Sequence, residues 1–312
     1  MAVNTLALDV GGTAVKAALI DRNNQISNLR EFPSEPGPAP VLVEHALAAV
    51  QAYDNYDVLA VSMTGQIDHV TQTVRFRSNL QPGERPEYPV GQVLHRAVGK
   101  PVFVLNDANA ATLGEGCFGA ARGCRNFLCL TYGTGVGGGI VLNGSLLTGR
   151  RGIAGEIGYM VTHVGGLPGK YNQDGAYQQY ASTTALVREG RKVVPELENA
   201  RQLFDLLPAK PALQCVVDGW VDEIAEGLRS LTYIFDPECF VLGGGVMERQ
   251  EVLDRVRDRF CANDSPFMKD VRLVRAQLGN RAGLYGAAAY ARWAMAHPHD
   301  KEHVGCFIGE TK

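Results

Sequence analysis

The sequence predicts an α/β protein built as two halves of like plan. Three observations carry this. Short apolar runs alternate with segments of helical period. Each half opens on two such runs around a glycine turn, at Leu6–Thr13 and again at Leu130–Gly139. A third glycine turn, Phe240–Val246, follows another apolar run late in the chain. The pattern reads as an internal pseudo-repeat and predicts two βββαβα-type halves expected to face each other across a cleft.

The elements follow in order. Residues 5–10 and Val15–Ile20 flank Gly11-Gly12-Thr13 as a hairpin, and Asn23-Asn24 turns the chain into a third strand. Residues 33–40 form a proline-rich loop, Val41–Tyr53 a helix and Val58–Met63 a strand. Polar residues 64–69 and an irregular loop over 78–89 lead to a helix at 90–98, a strand at 101–105 and an alanine-rich helix at 108–117. Phe127–Tyr132 and Ile140–Leu142 read as strands around a long glycine loop. A loop-rich stretch covers 148–182, Ala-, Val- and Leu-spaced residues make 214–235 a helix, and Gly283–Ala296 forms another. The tail to Lys312 is polar and expected to fray.

Composition bounds the function. At 312 residues with 46% hydrophobic and 20% charged side chains, the chain is an ordinary globular enzyme in make-up. A net charge of −3 gives no basic footprint for nucleic acid or an anionic membrane. No apolar run approaches the roughly 20 residues that span a bilayer. No signal peptide fits before the first strand, so a cytoplasmic location is expected. The seven cysteines are scattered without a CxxC pair and are expected as thiols. The seven histidines show no metal-ligand spacing.

The glycine turns point to phosphate chemistry. Glycine lets main-chain N–H groups converge on an anion without a Cβ in the way. Gly11 and Gly12 taken alone would be a plain hairpin turn, and Asn106-Asp107 alone an Asx turn or helix cap. Together, three turns and a carboxylate just past an apolar run read as a nucleotide cradle with a candidate base beside it. The GxxxxGK[ST] spacing is absent, which argues against a P-loop kinase.

Asp9-Val-Gly-Gly-Thr13, Asn106-Asp107, Thr131–Gly137, Gly155-Glu156-Ile-Gly158 and Leu242–Val246, in that order from about residue 5 to 290, resemble the ROK family of sugar kinases. The resemblance implies a two-lobed actin-like ATPase (ribonuclease H-like) fold with a nucleotide and sugar cleft between lobes. It implies a first lobe of 1–112 plus 283–297, a second of 113–282, and a polar tail over 298–312. It implies an ATP site at Asp9, Gly11, Gly12, Thr13, Lys16, Thr131, Gly133, Thr134, Gly135, Gly243, Gly244 and Gly245, with Asp9 holding Mg²⁺ through water. It implies a sugar site at Gly65, Asn79, Asn106, Asp107, Glu156, Tyr159 and Gln178, and a homodimer. Asp107 is the expected general base, since a sugar hydroxyl is a weak nucleophile that a nearby carboxylate can orient and deprotonate.

The chain departs from the family at one place. Many members bind a structural zinc through a His after Glu-x-Gly and three cysteines in a CxCGxxGCxE run. Here Tyr159 follows Gly158, and Gly169, Tyr171 and Ala176 stand at the cysteine positions, with Gln178 at the glutamate. All four ligands are missing together, so no zinc is expected. Tyr171, Tyr177 and Tyr180 add aromatic area that could stack on a sugar ring. The expected function is ATP-dependent phosphorylation of a hexose or derivative at the 6-hydroxyl, with glucose, a β-glucoside, N-acetylmannosamine and fructose as candidates. The alternative is a non-catalytic sugar-binding or sugar-sensing protein. A repressor reading fails because the phosphate motif starts at Asp9 and leaves no room for a helix-turn-helix.

Overall fold

In the computed structural model, residues 3–76, 87–170, 173–262, 265–300 and 303–305 are described. Their contacts divide the chain into two units: Met1–Arg125 with Gly139–Gly155 and Gln277–Lys312, and Asn126–Gly138 with Glu156–Ala276.

The first unit is built on a sheet of β1 (Thr5–Val10), β2 (Ala14–Ile20), β3 (Ile26–Pro33), β4 (Val58–Met63) and β7 (Val102–Asn106), in the order β3-β2-β1-β4-β7. β1 pairs antiparallel with β2 and parallel with β4, and β4 runs parallel to β7. Alternation along β1 separates two cores. Leu6, Leu8 and Val10 join Leu42, Val43, Ala46 and Ala49 of α1 (Ala39–Val50) and Leu94 of α2 (Val90–Val98). On the other face Ala7 meets Leu284 and Ala288 of α9 (Ala282–Ala296), while Ala60 meets Ala287 and Ala291. With helices on both faces β1 and β4 are buried almost throughout, as sheets covered on two sides are.

α3 (Asp107–Phe118) lies against α9 at contact distances that only glycine allows. A Cβ at Gly286 would fall 1.6 Å from the Ala110 carbonyl oxygen, and one at Gly114 would fall 2.4 Å from that of Ala282. This crossing lies wholly within the first unit, which holds all of α3 and α9. Glu115, 1% exposed, fixes the approach to α9: its Oε1 accepts from Gln277 N and Leu278 N at 2.9 and 2.8 Å.

Several local expectations are corrected. Residues 66–68 form β5 (Gln66–Asp68), paired with β6 (Thr73–Phe76) as a small hairpin. Gly137–Gly139 belong to β9 (Val136–Leu142) rather than to a loop; Gly139 is in a strand because the Thr112 side chain fills its Cβ position, 2.2 Å away. Val304–Gly305 form β13, which pairs with β10 (Ser145–Leu146), so part of the expected frayed tail is a strand. Cys117 is disulfide-bonded, against the expectation of thiols throughout, because linear spacing says nothing about which cysteines meet in space.

In the second unit, β11 (Cys239–Gly243) runs parallel to both β8 (Phe127–Tyr132) and β12 (Arg272–Arg275). The long helix α7 (Ala212–Phe235) buries Leu213, Val217, Trp220, Val221, Ile224 and Leu228 at helical spacing. It ends where Asp236 takes a left-handed conformation, φ 44°, before Pro237. The loop-rich stretch also holds α4 (Gln178–Ala181), and α5 (Thr183–Gly190) starts just past it. Beyond it come α6 (Ala200–Leu206) and α8 (Gln250–Cys261).

Candidate active site

The first unit gathers two carboxylates. Asp9 shares the α9 face of β1 with Ala7, and strand register places Lys16 and Ser62 beside it, one from each neighbouring strand. Ser62 Oγ donates to Asp9 Oδ1 at 2.7 Å. A Cβ at Gly283, in the first turn of α9, would come within 3.0 Å of that oxygen. A helix N-terminus, with its partial positive charge, therefore abuts the carboxylate. Burial raises the Asp9 pKa, and the Ser62 hydrogen bond and Lys16 charge oppose it.

Asp107 is the first residue of α3, just past the strand that ends at Asn106. Asn106 caps the helix by accepting from Asn109 N at 3.1 Å. Its amide nitrogen donates to the Gly65 carbonyl at 3.0 Å and to Asp107 Oδ1 at 2.9 Å. Gly65 adopts φ 116°, which suits glycine, so this small clamp depends on residue 65 as well. Ala108 N also donates to Asp107 Oδ1, at 2.8 Å, leaving Oδ2 outside these bonds. Part of the side-chain surface meets solvent. Loss of hydration around the carboxyl nevertheless pushes its pKa up to about 6; the Ala108 N–H pulls the other way and the Asp9 charge adds to the rise. Two carboxylates of unlike environment thus lie in one unit, a pattern found where acid–base work is done.

The second unit gathers the other two glycine turns. Gly133 N donates to Gly135 O at 3.0 Å, closing the β8–β9 turn with Thr134 exposed at its tip. Thr183 N donates to the Gly133 carbonyl and its hydroxyl to the Tyr132 carbonyl, each at 3.0 Å. Gly243 is in register with Thr131 across the parallel pair. Gly244, φ 99°, is required by the fold itself: a Cβ there would lie 2.2 Å from the Tyr132 carbonyl oxygen. Gly133 and Gly245 differ, since a Cβ on either would meet nothing within 4 Å. Neighbouring protein does not demand glycine at those two places, and the open backbone there is free to face a ligand.

Glu156 is exposed and precedes the short 3₁₀ turn Ile157–Tyr159. The Tyr159 carbonyl accepts from Gln173 Nε2 at 2.6 Å. Gln178 opens α4, and its Oε1 lies 2.6 Å from the Cβ position of Gly135 and 3.1 Å from that of Gly158. The carboxamide assigned to the sugar is therefore also a neighbour of the phosphate-type turn. Tyr177 is corrected. Tyr177 has no exposed surface, and Tyr180 stacks on His163 with centroids 3.9 Å apart while its hydroxyl accepts from Leu167 N, so both rings are engaged within the protein. Asn79 and Tyr171 lie outside the described residues. Ser62, Glu115 and Thr183 escaped the sequence reading; a lone polar residue inside the apolar run Val58–Met63 was the available signal for Ser62. Among the described residues no group of three His, Cys, Asp or Glu is placed to hold a metal, and no helix is long and apolar enough to cross a membrane.

Comparison with known proteins decides the family. The ROK family profile matches residues 5–294. The chain belongs to the ROK family. Among its ROK relatives, a glucokinase of Streptomyces coelicolor is 34% identical, covering 92% of this chain and 97% of that protein. An N-acetylmannosamine kinase of Salmonella typhi is 30% identical over 93% of this chain and 99% of that one. The crystal structure of a ROK family glucokinase from Streptomyces griseus, in complex with glucose and AMPPNP, superposes with a TM-score of 0.79 at 31% identity, covering 93% and 99% of the two chains. The actin-like fold of the ROK sugar kinases is the fold of this chain.

Proposed function

We propose that this ROK chain is a carbohydrate kinase that transfers the γ-phosphoryl group of MgATP to a hexose hydroxyl, with Asp107 as the general base. Sugar-kinase relatives that cover nearly the whole chain support the activity class. The observation that carries the mechanism is the Asp107 carboxylate, held by Asn106 and Ala108 through one oxygen with the other left outside these bonds.

Phosphoryl transfer leaves the protein mainly positioning and charge stabilisation to perform. Above pH 6 Asp107 is ionised, and Oδ2 can orient a sugar hydroxyl and take its proton as the phosphoryl group moves. Both amide hydrogens of Asn106 are engaged in holding this geometry, so its contribution to the sugar is a remaining acceptor lone pair. Glu156 and Gln178 supply further hydroxyl partners. Gly12-Thr13 and Thr134-Gly135, whose turns are closed by the Gly11 and Gly133 N–H groups, offer backbone N–H groups and hydroxyls to phosphates, with Lys16 adding positive charge; Gly245 leaves main chain bare for a flat adenosine face. Asp9 fits Mg²⁺, because Ser62 and the α9 N-terminus favour its ionised form. Bound there through water, the cation would neutralise phosphate charge.

The acceptor is read as the 6-hydroxyl, the chain as zinc-free, dimeric and cytoplasmic, with neither nucleic acid nor membrane as partner. Glucose and N-acetylmannosamine head the substrate candidates. The test is ADP release with MgATP against glucose, fructose, mannose, N-acetylmannosamine, N-acetylglucosamine and a β-glucoside. Turnover on one preferred sugar, lost in Asp107→Asn, supports the reading. Sugar binding by calorimetry with no turnover on any of them would favour a sugar sensor instead.

A further inference from the structure

Tyr177 immediately precedes Gln178 and is fully enclosed among the described residues of the 159–178 loop. Its ring has no exposed surface, and its hydroxyl lies 3.1 Å from that of Tyr132 and donates to the Ile224 carbonyl of α7 at 3.2 Å. Room for the ring comes from Gly227, where a Cβ would fall 2.4 Å from two ring carbons. Tyr132 is the last residue of β8, immediately before the Gly133–Gly135 turn, and its carbonyl is held by Thr183. Burial raises the pKa of both phenols, so each keeps its proton at any working pH. On the loop side, Tyr177 N donates to Met160 O at 2.7 Å, and the next residue is Gln178.

We propose that the buried Tyr132–Tyr177 hydroxyl pair, seated on Gly227, ties the phosphate-type turn to the 159–178 loop, making Tyr177 a positioning residue that sets Gln178 against Gly135. One residue thereby reaches three elements: the strand feeding the turn, the helix beneath and the loop above. The inference rests on the kinase reading only for its functional readout. A tie of this kind couples two loops, so its loss is felt at both, unlike the loss of a packing contact.

The test compares Tyr177→Phe, Tyr132→Phe, the double variant and Gly227→Ala with the unaltered protein. Removing one buried hydroxyl is expected to raise KM for hexose and for MgATP together by about three- to tenfold with a smaller change in kcat, as loss of one hydrogen bond implies. The double variant is expected to be no worse than Tyr177→Phe, which already loses both the pair and the Ile224 bond. Gly227→Ala, which drives a methyl into the Tyr177 ring, reproduces the effect from the helix side. Backbone hydrogen exchange, read without substrate, is expected to rise at 133–135 and at 159–178 in the same variants. Turnover by the unaltered protein tests the kinase reading separately, and the exchange pattern stands whatever that result. Unchanged KM values with exchange confined to the residues around the substitution, or strictly additive effects in the double variant, would overturn the proposal.

Discussion

The turn at Gly11–Thr13 and the loop at 159–178 serve neighbouring expectations and are built in opposite ways. The first is positioned by backbone register. Asp9 is fixed by its place on a strand whose two partners set Lys16 and Ser62 beside it, and short-range hydrogen bonds such as Gly11 N to Ala14 O at 3.0 Å close the turn. The loop has few repeating backbone pairs to lean on. It leans on side chains, with Tyr177 beneath, Tyr180 stacked on His163 and Gln173 on the Tyr159 carbonyl, joined by single backbone bonds such as Thr162 N to Gly175 O at 3.0 Å. The task of holding this loop is spread over several modest contacts. A site fixed by register tolerates change around it; one fixed by side chains is sensitive to single atoms.

Predictions that sharpen this contrast run from large to small. Asp107→Asn keeps the Asn106 cap and the helix start, so hexose affinity measured by calorimetry should stay within a few-fold while kcat falls by roughly 10²–10⁴, the range for removing a general base. Near-normal turnover would remove Asp107 from that role. Gly286→Ala attacks the register side of the comparison. With its Cβ 1.6 Å from the Ala110 carbonyl oxygen, it should destabilise by about 3 kcal/mol or more in chemical denaturation, the upper end of overpacking costs. An unchanged midpoint would mean that α3 and α9 can separate freely.

pH offers a third test. Because Asp107 must be ionised to accept a proton, kcat/KM should fall as pH drops through about 6, with a unit slope absent from groups of ordinary carboxylate range. Stability runs the other way. The folded carboxyl holds its proton more tightly than the unfolded one, so its favourable contribution is present below the unfolded pKa and lost as pH rises through about 6. Asp107→Asn should therefore raise Tm at pH 8 and change it less at pH 4. The smallest expected effect is a null one. Chelation of trace transition metals, with Mg²⁺ restored, should leave Tm and turnover unchanged, and elemental analysis should find no zinc; about one zinc per chain would return the loop to the metal-tied class.

Legibility followed the same division. The glycine turns, the strands that feed them and the helix after Asn106 could be read because they obey period and punctuation. Ser62 could be suspected at best, since a hydroxyl in an apolar run signals a partner without naming it. Tyr177 was misread as a sugar platform: three tyrosines in one segment look alike in sequence, and only the gap left by Gly227, fifty residues on, shows which one goes inside. Gly139 looked like a loop residue for the same reason, its cause being Thr112 on another element.

The crossing of α9 over the first sheet bears on how the molecule comes to be made. Arg292 reaches back 287 positions to Thr5 and caps the carbonyls of Ile20 and Asp21 at 2.9 and 2.8 Å. Until that helix leaves the ribosome, Ala7, Ala18 and Ala60 have no cover, and one side of a finished hairpin faces water. Pairings this remote in sequence are slow to form and expose apolar surface while they wait. Assembly of the N-terminal sheet is therefore governed by the arrival of the distant helix, and variants that delay its docking should show themselves first as poor yield in cells, before any loss in the purified enzyme.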